Sequence, residues 1–124
     1  MNVVDSSGWI EYFFKRPNVG FFRTVIHDTS KLLVPTVCLI EVIRYITRAA
    51  SRDAAQDAAA QMQRASVISL DEDLAHLAAR LGLKHNLPLA DAIVYATAQA
   101  HQATLYTQDE DFGKLPGVRY VRKK

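Results

Sequence analysis

Short apolar runs alternate with helix-patterned stretches along the whole chain, and this alternation narrows the fold more than any single residue does. Val3-Val4 ends in Asp5-Ser6-Ser7-Gly8, and an amphipathic stretch with Trp9, Ile10, Phe13 and Phe14 follows. Pro17-Asn18 breaks that helix, and FFRTVIH (21–27) begins another. LLVP (32–35) reads as a second strand, with Thr36 as the N-cap of VCLIEVIRYITRAA. Residues 52–64 are Ala-rich and polar, an exposed helix or the second arm of a helical hairpin. SVISL (66–70) is a third strand; Ser69 and Glu72 stand at capping-box spacing and open the helix DEDLAHLAARLGL. Gly82 ends or loosens that helix, and Pro88 is placed as a first-turn proline in LPLADAIVYATAQA (87–100). TLY (104–106) and VRYV, after Pro116-Gly117, complete the set. Strands separated by helices make parallel pairs, so an α/β fold with a helix-wrapped parallel sheet of four or five strands is expected. With 124 residues and no repeat, linker or low-complexity segment, the chain fits one domain, residues 1–124.

Composition removes several classes of function. No segment supplies the roughly 18 uncharged apolar residues of a membrane span; the nearest contains Asp91, Thr97, Gln99 and His101. MNVVDSSGWIEYFF has no basic region and an early Asp5, unlike a signal peptide. A single cysteine, Cys38, makes no internal disulfide and suits a reducing compartment, so a cytoplasmic location is expected. Net charge is +2, but four of the last six residues are basic: Arg119, Arg122, Lys123 and Lys124. Such a tail suits a polyanionic partner, or is simply a solvated end.

Asp91 poses the sharpest question. It is the only charged residue between Lys84 and Asp109, set in an almost wholly apolar helix. Burying an unpaired carboxylate costs several kcal/mol. Asp5 follows the first strand, Glu41 lies about one and a half turns into the helix after LLVP, and Asp109 follows TLY. In open α/β sheets the carboxyl ends of the strands form the ligand-binding edge. Four distant segments thus deliver one acid each to one edge. Each acid has a plainer reading: Asp5 as a helix cap, Glu41 as an i+3 partner of Arg44, Asp91 as a first-turn acid, and Asp109, Glu110 and Asp111 as a solvated turn. Together those readings need four unrelated coincidences. Two carboxylates about 5 Å apart repel by roughly 3 kcal/mol at an effective dielectric of about 20. Four cannot all stay ionised without a cation, so either a cation is bound or some protonate. All-oxygen donors fit Mg²⁺ or Mn²⁺, and the chemistry they suggest is metal-assisted attack of water on a phosphodiester.

Other chemistries find less support. His27, His76, His85 and His101 show no ligand spacing, Cys38 lies among apolar neighbours, and the five glycines form no phosphate loop. Ser6 and Ser7 have no recognisable His partner. A phosphatase of the haloacid dehalogenase type needs a second Asp two residues after its first, where this chain has Ser7.

Four stretches, VVDSSGWIEYF, PTVCLIEVIRY, LPLADAIVYATA and LYTQDEDF, together resemble PIN-domain ribonucleases, and most closely the small VapC-type toxins of bacterial toxin–antitoxin pairs. The resemblance runs along nearly the whole chain. It implies a PIN-like (Rossmann-like) three-layer domain and a Mg²⁺- or Mn²⁺-dependent endoribonuclease that cuts structured RNA such as tRNA or rRNA. Asp5, Glu41, Asp91 and Asp109 would be its catalytic and metal-holding acids. Thr107 matches the hydroxyl that accompanies the fourth acid, Ser6 a small polar residue after the first, and Asp111 a further acid that assists or hydrogen-bonds. A homodimer, and a small VapB-like antitoxin laid across the acidic groove, are the implied protein partners. The alternative is a PIN-fold module that binds RNA or protein without catalysis; four intact acids argue against it.

Overall fold

A computed structural model describes all 124 residues. Five short strands form one parallel sheet: β1 (Asn2–Val4), β2 (Leu32–Pro35), β3 (Ser66–Ile68), β4 (Thr104–Thr107) and β5 (Val118–Tyr120). Six helices connect them: α1 (Ser6–Phe13), α2 (Val19–His27), α3 (Thr36–Ala49), α4 (Arg52–Met62), α5 (Glu72–His85) and α6 (Leu89–Ala100). The strand order is β3-β2-β1-β4-β5. The chain therefore steps outward from β1 to β3 and then returns across the sheet to β4. Right-handed crossovers place α1–α4 on one face and α5–α6 on the other. Val3 and Val4 are both fully buried although they point to opposite faces, as this three-layer arrangement requires. No helix is long and apolar enough to cross a membrane.

Several local expectations are corrected. Thr36 is the first helical residue of α3, and Pro35, extended at φ −61° and ψ 139°, occupies the N-cap position without a side-chain bond. The cap of α5 is Asp71, whose Oδ1 accepts the Leu74 N–H at 2.9 Å, so the Ser69–Glu72 box does not form. β3 stops at Ile68, leaving Ser69 and Leu70 exposed before that cap. Pro88 sits at the N-cap of α6, one position before its first turn. Gly82 neither ends nor loosens α5, which continues to His85 and closes through left-handed Asn86 (φ 54°). A Cβ on Gly82 would lie 2.9 Å from Ala92 Cβ, so the glycine lets α6 approach α5 beside Asp91. The Ala-rich segment is the second arm of a hairpin with α3, burying Ala55, Ala58, Ala59 and Met62.

The core is a cluster spanning both faces of the sheet, with Trp9, Phe22, Tyr95 and Phe112 among its largest fully buried members. Cys38 belongs to it. Gly8 marks its tightest contact: a Cβ there would stand 2.6 Å from both Phe22 Cε1 and Val4 Cγ1. Gly8→Ala is therefore expected to destabilise the protein by about 1–3 kcal/mol through overpacking. A shift in the urea midpoint at unchanged slope measures this; a wild-type midpoint would refute the contact.

Candidate active site

The reversal of strand order between β1 and β4 opens a crevice beyond their carboxyl ends, the place where such sheets bind ligands. Asp5 leaves β1 there and caps α1, its Oδ1 accepting the Gly8 N–H at 3.1 Å. Ser7 Oγ lies 2.9 and 3.0 Å from its two carboxylate oxygens, and Thr107 Oγ1 donates to Oδ2 at 2.8 Å. The plain capping role of Asp5 is thus real, and it also aims the carboxylate at the crevice. Asp5 is 4% exposed. Burial pushes its pKa up to about 6; Thr107, Ser7 and Gly8 offset this only in part, and the charge of Asp109 adds to it.

Thr107 joins two of the acids. Its hydroxyl donates to Asp5 and accepts the Asp109 N–H at 2.9 Å. Asp109 in turn caps a single 3-10 turn, Glu110–Phe112, by accepting the Asp111 N–H at 2.9 Å. On α3, Glu41 accepts the Ser6 hydroxyl at 2.6 Å. Neighbouring serines thus serve different acids: Ser6 holds Glu41 and Ser7 holds Asp5.

Asp91 projects from the first turn of α6. It offers a carboxylate oxygen to a group with Asp109 and Asp111 in which all three oxygens lie within 4.8 Å of one another. Burial raises its pKa to about 7, with further upward pushes from Asp109, Asp5, Asp111 and Glu41. All the acids singled out in the sequence therefore act on Asp91. The tight oxygen group, however, is Asp91, Asp109 and Asp111; Asp5 and Glu41 lie outside it, bound by hydroxyl donors. The donor set is wholly carboxylate, and it fits a hard divalent cation through those three residues.

Sequence reasoning passed over a buried layer under this group. Glu11, 2% exposed, accepts the Asn18 N–H at 2.8 Å and Gln108 Nε2 at 3.0 Å. Asn18 Nδ2 donates to Gln108 Oε1 at 2.9 Å. Gln108 precedes Asp109, so the network fixes the turn that carries the fourth acid. One signal was available: Glu11 is three residues after Gly8 and four after Ser7, on the helix face that meets the sheet edge.

Residues 3–118 match the family model described as the PIN domain. This chain belongs to the PIN domain family. Solved structures of the same fold include a toxin–antitoxin complex from Klebsiella pneumoniae, at TM-score 0.80 and 23% identity over 96% of each chain. Mycobacterium tuberculosis VapC20, described as a sarcin-ricin loop cleaving toxin, superposes at TM-score 0.79 and 20% identity over 99% of this chain and 100% of its own. DNA-bound VapBC from Salmonella typhimurium gives TM-score 0.74 and 16% identity over 98% of each chain. At these identities the likeness is one of fold. Comparison with curated protein sequences returns no match.

The PIN domain's acids make its stability depend on pH in a definite direction. Asp5 and Asp91 hold protons up to about 6 and about 7 when folded, against an ordinary value of 3.8. Between pH 4 and 7 the folded state therefore binds more protons than the unfolded chain, and stability falls as pH rises through that window. In EDTA, Asp91→Asn is expected to match wild type near pH 4 and to melt at a higher temperature near pH 7. Thermal melts across that range check it; parallel wild-type and variant profiles would show that Asp91 is not the strained group.

Proposed function

We propose that this PIN domain, residues 1–124 as a single unit, is a VapC-type toxin: a divalent-metal-dependent endoribonuclease that cuts structured RNA and is neutralised by a small antitoxin. The observation that carries this reading is the crowding of five carboxylates at the β1–β4 crevice, with Asp91 among them raised to about 7. A surface built only to bind RNA gains nothing from repelling phosphates with acids. The fold neighbours described as toxins or toxin–antitoxin complexes support both the substrate class and the antitoxin partner.

In this reading Asp91, Asp109 and Asp111 would hold Mg²⁺ or Mn²⁺, with Asp5 and Glu41 adding their charge beside them. A bound cation supplies charge neutralisation at the scissile phosphate and lowers the pKa of an attacking water. The chain's own residues set the geometry. Ser7 and Thr107 orient Asp5, Ser6 orients Glu41, and Thr107 ties the Asp109 turn to Asp5. Asp91 would have to be ionised to hold a cation, so metal uptake is expected to strengthen as pH rises toward 7. In-line attack leaves a 5′-phosphate and a 3′-hydroxyl.

Asp91→Asn and Asp5→Ala are each expected to lower RNA cleavage in Mg²⁺ by at least about 100-fold, and EDTA to abolish it in wild type. Neutralising Asp91 should also erase the rise in melting temperature that Mg²⁺ gives wild type. Gel assays of cleavage and melts with and without Mg²⁺ decide the matter. Wild-type cleavage by either variant would defeat the site assignment, and RNA binding without Mg²⁺-dependent cleavage would favour the binding module.

A further inference from the structure

The basic run at the carboxyl end takes no part in the acidic cluster, yet it is not a loose solvated tail. β5 pairs with β4 so that Tyr120 stands opposite Thr107. Beyond the strand, the Val121 N–H donates to the Thr107 carbonyl at 3.0 Å. The Arg122 carbonyl then accepts Asn18 Nδ2 at 3.0 Å, which ties the segment to the buried Glu11–Asn18–Gln108 network. Arg122 and Lys123 are thereby held at a cavity of about 440 Å³. They line it with Tyr120, together with Ser7, Gln108, Asp109 and Glu110. Ser7 touches Asp5 and Asp109 belongs to the tight acid group, so this cavity borders the candidate active site.

Its lining has two characters. Arg122 and Lys123 offer cationic donors, the arginine in a fork that matches phosphate oxygens. Tyr120 offers an exposed ring, the kind of surface on which a nucleobase stacks. Asp109 and Glu110 offer acceptors to hydroxyl donors, which a ribose 2′-OH supplies. A polyanion approaching the neighbouring acids is repelled, and the two cations are placed to offset that repulsion. An acidic peptide would use the cations but leave the ring and the acceptors unmatched.

We propose that this cavity is a subsite for unpaired RNA next to the cleaved bond, with Arg122 and Lys123 on backbone phosphate and Tyr120 beneath a base. It rests on the ribonuclease reading above for the place of cleavage, but the binding it describes is separately measurable. The test is fluorescence anisotropy of a labelled single-stranded oligoribonucleotide in EDTA at several salt concentrations, comparing wild type with Arg122→Ala/Lys123→Ala. Because Asn18 bonds the main-chain carbonyl of Arg122, the double variant should keep its melting temperature. Its Kd should rise about tenfold, and the slope of log K against log salt should become shallower by about 0.7 for each cation removed. In Mg²⁺, kcat/KM should fall mainly through KM. Unchanged Kd and slope would overturn the subsite. So would a poly-glutamate peptide whose binding falls in the double variant while RNA binding does not, which would make this an acidic-peptide site. If wild type binds RNA with the expected slope yet does not cleave it in Mg²⁺, the nuclease reading fails and the subsite stands. Cleavage that depends on Asp91 but ignores Arg122 and Lys123 overturns the subsite and leaves the nuclease reading intact.

Discussion

Mutual repulsion among carboxylates is the constraint around which this molecule is arranged. Two such groups about 5 Å apart cost roughly 3 kcal/mol at an effective dielectric of about 20, and here Asp5, Glu41, Asp91, Asp109 and Asp111 meet at one crevice. Neutral hydroxyls and backbone N–H groups hold Asp5 and Glu41 in place, but none of these donors carries a compensating charge. What opposes the repulsion is the rigidity of the sheet and helices that carry the acids. Parallel strands share one carboxyl edge, the order β3-β2-β1-β4-β5 sets β1 beside β4, and the acids have no freedom to disperse. The folded chain meets that crowding by holding protons on Asp5 and Asp91 to higher pH than usual, and a divalent cation is the partner proposed for the same place.

The support beneath the site is organised in two layers. Thr107 is the centre of the first, since one hydroxyl both holds Asp5 and receives the backbone of Asp109. Glu11, Asn18 and Gln108 form the second, linking α1, the start of α2, the end of β4 and the main chain after β5. Asp91 is placed by packing instead. Its helix is seated against α5 by the close approach at Gly82 and Ala92, and by apolar neighbours that leave the helix little room to turn. The acids held by hydrogen bonds and the acid held by packing meet at the same point. Errors in one support are therefore not corrected by the other.

Much of this was legible in the residues because strand and helix periods differ and because acids stand out in apolar surroundings. All five strands and the convergence of Asp5, Glu41, Asp91 and Asp109 on one edge follow from that contrast. Cap assignments failed where two residues competed for one role. Asp71 displaced Ser69 because its carboxylate is the group that reaches the Leu74 N–H, and Thr36 was read one position out because Pro35 already supplies the extended backbone of a cap. Gly82 misled because a helix-breaking residue and a close-packing residue look alike until the neighbouring helix is in place. The helix position of Glu11 could be read locally, but its partners could not. Its partners lie seven and 97 residues away, and no local pattern announces a bond of that length.

Asp5 and Asp91 show how the same carboxyl group can behave differently within one site. Asp5 is nearly inaccessible but well supplied with donors, and those donors partly oppose the effect of burial, leaving it at about 6. Asp91 is more open, yet it reaches about 7 because its desolvation meets no opposing donor and four other carboxylates push the same way. A cation near the crevice therefore changes Asp91 more than Asp5: it counters four charges acting on the one and only the smallest of the influences on the other. The residue that looked most out of place in the sequence is also the one whose charge depends most on what binds there. Asp5, by contrast, is tied to its cap and its hydroxyl partners, which suits it to fix the frame within which Asp91 responds.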